Sequence, residues 1–256
     1  MESLFSKIGN LGYELLGIFL PGFIFIHFMV FWWWSIGPMA GIWSQEFIPQ
    51  AQVVQISGFI EVLNEGVQVG VLLFLALASY FIGHALHWIS RGGPKRGELN
   101  FWSRVGYSVI FRVPKPDRDY HAGLDGVFEE AKIHLGFGSD SVWREYYPIA
   151  KSYLAKNLQT SLSPVYQNKY TLHRSLALAS SLWFWISVAS ILISVPMVVY
   201  FGCPAPKWIP LSLSVPAAIV LINGFSGSYY YNWLLWGDSL ISEVVMLKRS
   251  PPDAEV

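Results

Sequence analysis

Few residues in this sequence have types and spacing that invite chemistry. Ser79, Gly83 and His87 follow one another at four-residue steps, with His84 beside them, and that spacing places them on one face of a helix. Ser180, Ser187, Ser190 and Ser194 form a second hydroxyl stripe. His27 is a lone polar residue within a long apolar run, and Asn223 opens the polar half of another. Polar groups in lipid are costly and face the interior of a bundle. His27, Ser79, Gly83, His84, His87, Ser187 and Asn223 therefore read as an intramembrane polar seam. Such a seam serves helix packing, or else ions, protons or a ligand. A metal shared by the histidines is excluded by depth. His27 falls ~18 Å and His84 ~8 Å above the inner membrane edge at ~1.5 Å per residue.

Other patterns carry less. His121, Asp125 and Glu129 recur every four residues, an imidazole and two carboxylates on one helical face. A closed metal site needs about four ligands, and no second helix offers a partner set, so a solvated face is the expected reading. Pro116-Asp117 with Glu130-Ala131-Lys132 matches a metal-dependent nuclease pattern by letters. That chemistry needs acidic residues on strands, whereas Glu130 and Lys132 fall in an amphipathic helical run. There is no phosphate-binding glycine loop, zinc-protease pair or nucleophile elbow. With Cys203 the single cysteine, no disulfide framework forms within one chain. No catalytic residue, cofactor or metal is expected.

The elements that must position these residues are membrane helices. The chain of 256 residues is 53% hydrophobic and 13% charged, against about 25% charged in a soluble domain. This composition also excludes disorder. The net charge of +0 gives no basic field for nucleic acid. Residues 15–45, 66–90, 175–206 and 208–237 contain no Asp, Glu, Lys or Arg. Each stretch can supply the roughly 20 residues that cross a ~30 Å hydrocarbon core. The expected spans are 15–34, 67–89, 177–201 and 211–233. The first is too long for a signal-peptide core and lacks a clean cleavage site. Trp32, Trp33, Trp34 and Trp43 fit an interfacial belt instead.

Basic residues set the orientation. Arg91, Lys95 and Arg96 follow span two, and Lys169 and Arg174 precede span three. Lys7 precedes span one, Lys248 and Arg249 follow span four, and Lys207 stands alone on the other side. Both termini and the segment between spans two and three are thus expected in the cytoplasm. The fold class is an all-α membrane protein with a helical cytoplasmic domain inserted between spans two and three. Its parts are 1–90 (an interfacial helix and two spans), 91–175 (the inserted domain), 176–250 (two spans and an amphipathic extension) and a tail, 251–256. Arg91, Lys95 and Arg96 lie where anionic lipid headgroups would be.

Outside the spans, residues 1–10 read as an interfacial helix, and Pro21-Gly22 is expected to kink span one. Residues 101–113 fit either a strand or an interfacial helix. A helix over 119–135 is ended by Gly136 and Gly138. A second helix, capped by Ser139 or Asp140, carries Trp143, Tyr146, Tyr147 and Tyr153 on one face. Those aromatics are either the core of the helical hairpin or a face for a cytoplasmic protein partner. A third helix starts with Ser163 as N-cap and Pro164 at its first position, and nothing breaks it from Val165 to Ser194. Span four becomes polar from Asn223 to Asn232, then continues as an amphipathic helix.

Tyr13-Glu14-Leu15-Leu16-Gly17-Ile18-Phe19-Leu20-Pro21-Gly22-Phe23 and Ser79-Tyr80-Phe81-Ile82-Gly83-His84 resemble the first and second spans of small bacterial four-span inner-membrane proteins. Some proteins of that plan are membrane components of anti-phage defence systems. The resemblance implies a bacterial inner membrane and a defence or stress role, and it transfers no catalytic residue. The resulting expectation is a non-enzymatic membrane effector or scaffold that contacts membrane lipids, self-associates as a homo-oligomer and binds a cytoplasmic protein. The alternatives are a constitutive small channel or transporter, and a membrane-anchored enzyme.

Overall fold

The computed structural model describes residues 12–39, 65–90, 116–158 and 161–249, and every regular element among them is helical. Helix α1 (Leu20–Ile36) continues a π-helical stretch, Tyr13–Phe19. Helix α2 is Glu65–Ser90. A short 3-10 turn, Ala122–Leu124, leads into α3 (Asp125–His134), and α4 is Trp143–Asn157. Helices α5 (Ser163–Phe201) and α6 (Trp208–Arg249) are the longest. Four helices are long and apolar enough to cross a membrane: Glu14–Ile36, Val69–Ser90, Ser163–Phe201 and Trp208–Arg249. The expectations for residues 1–10 and 101–113, and for Arg91, Lys95 and Arg96, fall outside the described residues.

Helices α1 and α2 meet backbone to backbone. A Cβ on Gly22 would run into the Ser79 carbonyl oxygen, and one on Gly83 into the Ile18 carbonyl oxygen. Only glycine permits this approach, which gains dispersion contact where lipid offers no hydrophobic driving force. The π turns end just before Pro21. A proline has no N–H to donate, and its ring crowds the carbonyl four residues back, so a widened stretch suits that position.

Helix α5 has 39 residues and α6 has 42, lengths of ~58 and ~63 Å at ~1.5 Å per residue. Crossing a bilayer core would need only ~30 Å of each. Gly202 ends α5 in the left-handed conformation, φ +64°, and the chain turns into α6 by Trp208. Because the turn is short, both helices overhang at the same end. Helices α3 and α4 pack there. Phe128 and Ala131 of α3 and Tyr146, Ala150 and Leu154 of α4 share one buried cluster with Tyr170 of α5 and Tyr229, Trp236, Leu240, Ile241 and Val244 of α6.

Three helix starts differ from the sequence reading. Helix α3 begins at Asp125 after the 3-10 turn rather than at 119, because the chain before it is tied to α6. Helix α4 begins at Trp143 with Val142 as N-cap, and Ser139 and Asp140 lie in the preceding turn. Ser163 is the first residue of α5 rather than its cap. The Glu243 carboxylate of α6 does the capping instead, accepting from Ser161 Oγ at 2.6 Å and the Leu162 N–H at 2.7 Å. An anion at a helix N-terminus satisfies free N–H groups and complements the helix dipole.

At the other end, the Lys207 N–H donates to the Ser35 carbonyl at 2.9 Å, and its ammonium sits 3.4 Å from the Trp34 ring centroid. Trp32 Nε1 donates to Ser190 Oγ at 2.7 Å, and Phe28 stacks on Trp183 at 4.4 Å. These contacts hold α1 against the α5–α6 pair.

Candidate functional site

Where the overhang begins, α5 buries a cation. Arg174 is 7% exposed. One guanidinium NH₂ lies 3.4 Å from His87 Nδ1 of α2, and the group lies 6.0 Å from the Tyr170 ring centroid. His87 is itself 6% exposed. An Arg N–H needs a lone pair to meet it, so the contact requires the proton of His87 on Nε2. The Tyr229 hydroxyl faces the same guanidinium, and among the described residues no hydrogen bond reaches Arg174 Nε or Ser175 Oγ. A buried guanidinium with an open N–H is costly.

A column of rings leads away from it. Tyr170 lies 5.1 Å from Trp233 and 5.5 Å from Trp236, and Trp233 and Trp236 are 5.3 Å apart. Trp236 meets Trp143 edge-on at 6.0 Å and Tyr147 at 5.8 Å. Trp143 and Tyr146 close on Phe128 of α3 at 5.7 and 5.0 Å. Aromatic pairs at these separations gain beyond their burial. The rings thus connect α3 and α4 to Arg174 without a gap. Burial pushes the Tyr146 hydroxyl above the ordinary tyrosine range.

Neither a family model, nor a curated protein, nor a solved structure matches this chain.

The residues proposed for the polar seam are divided by the fold. Ser79, Gly83, His87 and Ser187 are buried. His27 is exposed, with Nδ1 on the Phe23 carbonyl of its own helix at 2.8 Å, and Asn223 is exposed as well. His84 points outward, 3.8 Å from Glu14, and Tyr80 donates to the same carboxylate at 3.0 Å. Of the seam residues, His87 meets Arg174, while His27, His84 and Asn223 lie on the outer surface.

The aromatic face of α4 is turned inward. Tyr146 is fully buried, Trp143 and Tyr147 pack on Trp236, and Tyr153 Oη lies 2.9 Å from His134 Nε2. The described contacts fit the hairpin-core reading of Trp143, Tyr146, Tyr147 and Tyr153.

The acidic and histidine patterns are used structurally. Lys132 is buried, pairs with Glu129 at 2.7 Å and donates to the Ser139 carbonyl at 2.7 Å. Glu130 pairs with Arg249 at 2.8 Å and Lys248 at 3.4 Å, and these two cations hold its carboxyl below the usual range. His121 precedes α3 rather than sharing a face with Asp125 and Glu129; it binds Asp238 of α6. Among the described residues no group of three or more His, Cys, Asp or Glu could hold a metal ion.

Sequence reasoning passed over Arg174, which it used only as a topology flank. The available signal was its position, with the apolar run beginning at the next residue and Tyr170 one turn before it. The Glu243 cap and the His121–Asp238 pair join residues far apart in the chain, and no local pattern announces them.

Proposed function

We propose that this chain is a non-enzymatic effector or scaffold of the bacterial inner membrane, with α3, α4 and both termini in the cytoplasm. A binding event on the cytoplasmic helices is carried to the bundle. The observation that supports this reading is the aromatic column, which ends on the buried Arg174–His87 contact between α5 and α2. A partner acts here only through its differential affinity for two arrangements of the column.

The partner surface in this reading is not the Tyr146 face. Ile133, Val142, Ile149 and Leu162 are the more fitting positions, since these apolar side chains stay more than half or about half exposed outside the hydrophobic core. Self-association belongs to the same reading. Asn223 is exposed where lipid would surround it, beside Gly224 and Gly227, whose Cβ positions meet nothing within 4 Å. A second copy would satisfy that amide.

The test is a membrane-potential dye in bacterial cells expressing the chain, before and after challenge with a phage panel. The proposal expects polarised cells at rest and depolarisation on challenge. Steady depolarisation from expression alone would favour a channel instead. Survival and polarisation identical to cells without the chain across the panel would remove the defence role.

A further inference from the structure

A cleft of about 310 Å³ lies between α6 and the chain leading into α3. Arg118, Tyr120, His121, Tyr230 and Leu234 line it, with Asp117 on the same wall. The volume is at the lower end of the range for small-ligand sites.

The histidine is held rigidly. Its backbone N–H donates to Asp238 Oδ1 at 2.9 Å, and its Nδ1 lies 2.6 Å from Oδ2. Gly237 permits this clamp, because a Cβ there would run into the Asp119 carbonyl oxygen. With Nδ1–H given to Asp238, Nε2 carries the lone pair and is the acceptor left for a ligand. Arg118 is weakly committed, at 3.7 Å from Asp125 with both side chains well exposed. A guanidinium at such a distance keeps most of its N–H groups available, and their planar fork matches phosphate oxygens.

Depth points to the source of the phosphate. Tyr230 and Leu234 follow the start of α6 at Trp208 by ~33 and ~39 Å at ~1.5 Å per residue. A bilayer core is ~30 Å thick and ~40–45 Å with its headgroups. The cleft therefore falls in the inner headgroup layer. A cleft with one guanidinium donor and one imidazole acceptor suits a zwitterionic headgroup.

We infer that this cleft binds the phosphodiester headgroup of an inner-leaflet phospholipid. Arg118 donates to the phosphate oxygens, His121 Nε2 accepts from the headgroup ammonium, and the glycerol and acyl parts lie along Tyr230 and Leu234. The inference rests on the membrane reading above.

The experiment is native mass spectrometry of the full chain in detergent, titrated separately with dioleoylphosphatidylethanolamine, with diolein, which lacks the headgroup, and with inorganic phosphate. One phosphatidylethanolamine should be retained. Arg118→Gln should weaken it roughly tenfold, as loss of a charge-assisted contact does, and Arg118→Lys should restore part of the loss. Equal retention by Arg118→Gln, or equal retention of diolein, overturns the site. Inorganic phosphate binding as tightly as the lipid overturns its membrane source. Arg118 is exposed, so its substitution leaves the fold in place, and His121→Gln gives an independent second variant. Carbonate extraction separates the two readings. A chain washed from membranes refutes the membrane reading, and an inserted chain without lipid retention refutes the headgroup site alone.

Discussion

The α1–α2 contact and the α3–α4–α5–α6 cluster solve the same packing problem in opposite ways. The first brings two backbones together at Gly22 and Gly83 and leaves large apolar side chains such as Leu72, Phe74, Phe81 and Trp88 facing outward. The second holds four helices apart with interlocked rings and hides them, with Tyr146, Leu240 and Ile241 fully buried. The difference follows from the surroundings each packing suits. Water drives apolar rings inward. Lipid does not, so helices there gain by close approach instead. Helices α5 and α6 contribute to the ring cluster and are also long and apolar enough to cross a membrane.

The largest effect should come from breaking the ring cluster. Tyr146→Ala empties a fully buried aromatic site and should cost about 3–5 kcal/mol. Differential scanning of the detergent-solubilised protein should show a separate low-temperature transition, with carbonate extraction unchanged. If insertion fails too, the two packings are not separable. Gly83→Leu attacks the other side. Its side chain must push α1 and α2 apart, at about 1–3 kcal/mol. Cysteine cross-linking between α1 and α2 should fall while near-UV dichroism from the ring cluster persists. Glu243→Ala removes the cap on α5 and should cost ~1 kcal/mol, visible as faster amide exchange in the first turn of α5.

The smallest effect concerns Glu130, which ties α3 to the end of α6. Its carboxyl is held low chiefly by Arg249. The folded form thus binds its proton less readily than the unfolded chain. The pair contributes above the unfolded carboxylate pKa and is lost as pH falls through the lowered folded value. Thermal melts from neutral to acid pH should lose a small increment that Glu130→Gln no longer shows. An identical acid dependence in the variant assigns that slope to other carboxylates.

Much of the architecture was readable from charge-free runs alone. Spans expected at 15–34, 67–89, 177–201 and 211–233 fall on the four long helices. Continuity of the third helix was also legible, since nothing between Val165 and Ser194 breaks it. Helix starts were less legible because tertiary contacts decide them. Ser163 has the right chemistry to cap α5, but Glu243, far along the chain, reaches that end first. The polar seam was half legible. Periodicity put Ser79, Gly83 and His87 on one face, yet it cannot tell which side of a helix meets a neighbour, and His27, His84 and Asn223 face outward. Arg174 escaped because a cation beside a span ordinarily signals topology, and only the fold brings His87 to it.

The central claim is that the overhanging helices and the bundle act as one body through the ring column. Hydrogen exchange of the full chain in lipid nanodiscs, wild type against Tyr146→Ala, tests it most directly. The account predicts that deprotection spreads beyond α3 and α4 into α5 around Tyr170–Arg174 and α6 around Tyr229–Trp236, while the α1–α2 contact keeps its protection. Deprotection confined to α3 and α4, with the amides around Arg174 unchanged, would contradict it.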